Sequence, residues 1–177
     1  MNRPSQVIVL AEDERHVRFV QAYLKSRGIG APIRVEDLPS GRGSGEQLVR
    51  DRYATAVAGF RRRRAATVLV VVIDADATDV RHRLRQLADA LTAAGKPPRA
   101  DGESIVHLIP KRNIETWILC LNGSHVDEVR DYKAQVEDQQ IAFGAESLFN
   151  GSRRNIQPPA HWIPSLLSAI PEVRRLD

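Results

Sequence analysis

The chain has 177 residues, 42% hydrophobic and 27% charged, enough for one domain with its own core and too ordinary a mixture for long disorder. Its longest aliphatic run, Val68 to Ile73, is far too short to span a bilayer, and the single cysteine, Cys120, excludes an intrachain disulfide. A net charge of +4, with arginine far outnumbering lysine, is compatible with a polyanionic partner without demanding one.

"QVIVLAE" (Gln6 to Glu12) reads as a buried strand ending in acid. The opening "MNRPSQVIVLAEDER" has acid directly after its short apolar stretch, unlike a secretory signal, so a cytoplasmic location without membrane association is expected. "RHVRFVQAYLKSRGIG" places Val17, Val20, Tyr23 and Leu24 at helical spacing, with Gly28 and Gly30 closing the helix. "PIRVEDL" reads as a weaker strand. "PSGRGSGEQ" (Pro39 to Gln47) is a glycine-rich loop in which Ser44 can cap a helix running towards Phe60. "TVLVVVI" (Thr67 to Ile73) is the clearest strand. A helix follows in "TDVRHRLRQLADALTAAGK", with Val80, Leu84, Leu87 and Leu91 on one face and Gly95 as its stop. After the turn "KPPRADGE", "SIVHLIP" (Ser104 to Pro110) is another strand and "NIETWILCLNG" opens another helix.

This alternation predicts an α/β fold: a mainly parallel, Rossmann-like sheet with helices on both faces. Residues 1–122 form the expected core, and 123–177 a helical extension packed on it. Ligands in such sheets bind beyond the carboxyl ends of the strands. Glu12, the pair Asp74 and Asp76, and "PKRNIE" all lie just past strand ends, so the topology can gather them at one edge.

Two carboxylates one residue apart beyond a strand end can turn toward one ion, and an oxygen-rich acidic site suits Mg²⁺ or Mn²⁺. Glu12 can complete such a site or move a proton; three acids gathered without a cation would repel one another. The bland alternative is that Asp76, Thr78 and Asp79 only cap the next helix. Among other candidates, the five histidines (His16, His82, His107, His125, His161) show no zinc-ligand spacing, and His107 reads as a satisfied core residue. "GRGSG" (Gly41 to Gly45) lacks the Lys-Ser/Thr of a P-loop. Trp117 and Cys120 read as core, whereas Trp162 can belong to a partner-facing surface. "FRRRRAA" (Phe60 to Ala66) and "GSRRN" (Gly151 to Asn155) are solvated ends or phosphate contacts.

Acid after the first strand ("VIVLAEDE"), Asp-x-Asp after a later one ("VVVIDAD") and "HLIPKRNIETWIL" (His107 to Leu119) together resemble the TOPRIM family. The last block narrows the likeness: it resembles small stand-alone TOPRIM-like proteins, related to OLD-type nucleases and encoded beside ATPases in bacterial phage-defence and mobile-element loci. The likeness covers Val7 to Leu121. It implies a TOPRIM-like core and a Mg²⁺- or Mn²⁺-dependent nuclease acting on DNA or other nucleic acid. By the same resemblance Glu12 is a metal ligand or acid/base, Asp74 and Asp76 hold the metal, Glu115 is a further acidic group and Lys111 a phosphate contact. A separately encoded ATPase and a homodimer are the protein partners it allows. Family members often carry glycine after the first glutamate, whereas Asp13 and Glu14 stand here, leaving open which of the three acids faces the site.

Two other readings compete. In a phospho-accepting receiver domain, Asp74 would be the acceptor and Lys111 the lysine beyond the last strand. However, 62 positions separate Glu12 from Asp74, and "KRNIETWILC" lacks the proline usual after that lysine. The other is a catalytically silent subunit of an ATPase complex; no ATP-binding motif is present in this chain.

Overall fold

The computed structural model describes residues 3–38, 44–63, 65–76 and 78–177. The first part of the glycine-rich loop, residues 39–43, and Arg64 of the arginine run lie outside them. Four strands, β1 (Gln6–Ala11), β2 (Ile33–Val35), β3 (Thr67–Val72) and β4 (Ile105–Leu108), form one sheet in the order β2-β1-β3-β4. Every pairing is parallel, and the chain is an α/β protein of Rossmann-like architecture. No helix among the described residues is long and apolar enough to cross a membrane.

Strand side chains alternate between two apolar clusters. Val7, Val9, Val70, Val72 and Val106 face α1 (Glu14–Ser26), α4 (Ile114–Leu121), α5 (Asp138–Ser152) and α6 (Pro164–Val173). Ile8, Leu10, Leu69, Val71 and Ile105 face α2 (Gly45–Arg62) and α3 (Val80–Ala93). Burial on both sides is why β3 reads as an unbroken aliphatic run rather than an alternating one. Asp13, Ser44, Asp79 and Asn113 each cap a helix through a side-chain oxygen. The positive ends of α1, α3 and α4, entered directly after strands, therefore lie at the carboxyl edge of the sheet.

The expected stripe on α3 is only partly seen. Leu87 and Leu91 are buried, Val80 and Leu84 are half-buried, and the third buried position is Arg83. His107 Nε2 shares a hydrogen bond of 2.9 Å with the Tyr53 hydroxyl, while its buried Nδ1 has no partner among the described residues. Burial pushes its pKa down to about 3, so this histidine is neutral and half satisfied.

The C-terminal region supplies part of the core. α5 packs on α1 and α4, and α6 packs on β4. Trp117 is buried and donates its indole N–H to Ser165 Oγ at 2.8 Å. Glu172 of α6 accepts the His107 backbone N–H at 2.9 Å and is gripped by both terminal nitrogens of Arg99 at 2.5 and 2.8 Å. Trp162 is buried rather than partner-facing, because Gly151 leaves its indole room. A Cβ on Gly151 would come within 2.5 Å of Trp162 Cη2 and 2.7 Å of Cζ2. Gly151→Ala is therefore expected to cost ~1–3 kcal/mol through overpacking, read as a lower urea midpoint.

Candidate acidic site at the sheet edge

The register that pairs Ala11 with Val72 carries Glu12 and Asp74 off adjacent strands side by side. The Asp74 backbone N–H donates to Glu12 Oε1 at 2.5 Å. Of the three successive acids, Glu12 is the one turned inward; Asp13 caps α1, and Glu14 is exposed. Gly45 lets the start of α2 lie against the Glu12 backbone, since a Cβ there would lie 2.6 Å from the Glu12 carbonyl oxygen. Burial and then the Asp74 charge push the Glu12 carboxyl up to about 8, against the pull of His16.

Asp74 is 3% exposed. Its Oδ1 lies 3.0 Å from His16 Nε2, while His16 Nδ1 lies 2.8 Å from Asp13 Oδ1. Both ring nitrogens thus face carboxylate oxygens, an arrangement that the doubly protonated imidazole satisfies. Burial alone would lower the His16 pKa, but Asp74 and Asp13 outweigh it and hold it well above 6.5. Asp74 is raised by burial despite the opposing charge of His16, with Glu115 and Asp76 adding to the rise. Asp13 is held well below its ordinary value because the His16 contacts override its burial. The scattered histidine pattern concealed His16. Its one signal is the spacing Asp13-x-x-His16, which puts a polar ring on the same inward helix face as Val17 and Val20.

Asp74 and Asp76 do not turn the same way. Ala75 N–H still bonds to the Pro110 carbonyl at 2.8 Å, so the sheet pairing persists one residue beyond Asp74. Asp76 then takes a left-handed φ of 49°, a conformation that aspartate tolerates better than most residues. Its side chain emerges 54% exposed and 3.6 Å from Arg83. Arg83 is buried and paired with Glu46 at the start of α2, which Arg50 also holds at 2.8 Å. Asp79 caps α3 through the Arg81 N–H.

Glu115, in the first turn of α4, brings a fourth carboxylate to the cluster. Its side chain is 5% exposed and paired with Arg15, and its Oε2 is buried with no partner among the described residues. Lys111 is half-buried and follows Pro110, the residue bonded to Ala75, so the backbone sets it beside the 74–76 loop. The donors offered are hard carboxylate oxygens, one of them unsatisfied, a set whose chemistry fits Mg²⁺ or Mn²⁺ better than zinc. Among the described residues, however, no three acidic, histidine or cysteine side chains already converge in a cation-holding arrangement. His16, Arg83 and Arg15 are paired against Asp74, Asp76 and Glu115 respectively. No family model, curated protein or solved structure matches the chain.

Proposed function

We propose that this chain is a TOPRIM-like, divalent-metal-dependent nuclease that cleaves phosphodiester bonds in nucleic acid. The observation that carries this reading is the meeting of Glu12 and Asp74 at the carboxyl ends of adjacent parallel strands. There the Glu12 carboxyl is pushed up by burial and by the charges of Asp74 and Asp76. Glu12, Asp74 and Asp76 would hold Mg²⁺ or Mn²⁺, which when bound stabilises charge on the phosphate and lowers the pKa of the attacking water. In the metal-free fold the Glu12 carboxyl is raised to about 8, so near neutral pH it would give up its proton as the ion binds. Lys111 and the N-termini of α1 and α3 favour the phosphate electrostatically.

Nicking of supercoiled plasmid in Mn²⁺ or Mg²⁺ tests the proposal. Asp76→Asn alters an exposed side chain and is expected to leave the melting temperature nearly unchanged while lowering the rate by ~10²-fold or more. Nicking by a well-folded Asp76→Asn protein at the wild-type rate would remove Asp76 from the site.

A further inference from the structure

Resting on that reading, we propose that Arg15 is a resident counter-cation. A substrate phosphate draws its guanidinium off Glu115, so that nucleic acid and divalent metal bind with positive cooperativity. Three cationic side chains oppose the acids, and they differ in freedom. His16 is enclosed between Asp13 and Asp74. The Arg83 side chain is 4% exposed and locked to Glu46. Arg15 alone of these reaches solvent, its side chain 32% exposed against 5% for Glu115.

The hydrogen bonds of Arg15 leave most of its fork unused. Its contacts with Glu115 and with the Lys133 carbonyl, the latter at 3.2 Å, are both made through Nη1. A guanidinium presents five donors in a planar fork that matches phosphate bidentately. An incoming phosphodiester therefore competes for this arginine with better geometry than Glu115 offers. Glu115 would then be a nearly buried carboxylate with neither oxygen paired, since its Oε2 already lacks a partner among the described residues. Such a group demands a cation. The phosphate makes room for the metal, and by linkage the metal favours the phosphate by the same factor.

The test is Mn²⁺ binding, read from the electron paramagnetic resonance of the free ion at pH 8, with and without the dinucleoside phosphate TpT. Wild type is expected to bind Mn²⁺ weakly alone and about 5–150-fold more tightly with TpT, the usual range of coupling between two sites. Arg15→Gln should bind Mn²⁺ more tightly than wild type without TpT and gain little from it. Arg15→Lys keeps the charge but not the fork. It should match wild type in Mn²⁺ affinity while showing weaker coupling, and it keeps the test decisive if the glutamine variant does not fold. Unchanged or weaker Mn²⁺ binding in Arg15→Gln, or undiminished coupling in Arg15→Lys, would overturn the counter-cation role alone. Absence of Mn²⁺ binding by every protein, with or without TpT, would overturn the metal-dependent function and this inference together.

Discussion

Glu12→Gln is expected to lower metal-dependent cleavage by ~10²–10⁴-fold and, in the same protein, to raise the stability of the metal-free fold above pH 8. The amide keeps an oxygen to accept the Asp74 N–H, which now bonds to Glu12 at 2.5 Å, so the backbone contact survives. What disappears is a carboxyl that ionises near 4.5 in the unfolded chain and near 8 in the fold, raised by burial and by Asp74. A group raised on folding contributes stability that is fully present below its unfolded value and is lost as pH climbs through its folded value. Wild type therefore weakens between about pH 4.5 and pH 8 by a term that the glutamine variant lacks. The advantage of the variant should be ~2 kcal/mol or more at pH 9 and vanish near pH 4.5. Urea unfolding at the two pH values measures it. An advantage of the same size at both would assign the effect to packing instead of charge.

The largest loss of stability is expected from His16→Leu, about 3–5 kcal/mol at pH 7. Leucine removes the partner 3.0 Å from buried Asp74 and 2.8 Å from Asp13. Asp13 suffers less, since its cap bonds to the Arg15 and His16 backbone N–H groups persist at 2.9 and 3.1 Å. Asp74 is left as a buried carboxylate without a counter-charge. Adding Asp74→Asn should recover much of the loss, and the non-additivity of the double-mutant cycle measures the pair directly. The sign with pH also follows. The His16 pKa is held above 6.5 in the fold, so its contribution is complete below that value and fades as pH rises through the folded one. The gap between wild type and His16→Leu should thus narrow in alkali.

The strands were legible because doubly buried β-branched runs such as "TVLVVV" have few alternatives, and the starts of α2 and α3 because Ser44 and Asp79 are capping residues. The meeting of Glu12 with Asp74 was legible too, since parallel neighbours deliver their ends to one edge. The direction of Asp76 was not: it depends on one residue adopting φ 49°, which an Asp-x-Asp pattern does not encode. Nor was the burial of Arg83, which lies in the core only because Glu46, from another helix, receives it. The pairing of Arg15 with Glu115 joins positions 100 residues apart and exists only once α1 and α4 are docked. Periodicity sorts side chains by face, but the identity of a buried polar partner is a tertiary fact.

The grip of Glu172 on β4 has a consequence for anyone dividing this polypeptide into complementing halves. A cut at residue 122 looks natural, since the βα alternation ends there. It would uncover the backbone donor of His107 on an outer strand and strip Leu166, Ile170 and Val173 from the sheet face they cover. The front half would then present a sticky, parallel-stranded rim that invites fibrous self-association. A cut in the turn at residues 95–102, between α3 and β4, would go further: it would part Leu69 to Val72 of β3 from Ile105 to Leu108 and open the edge of a strand buried on both faces.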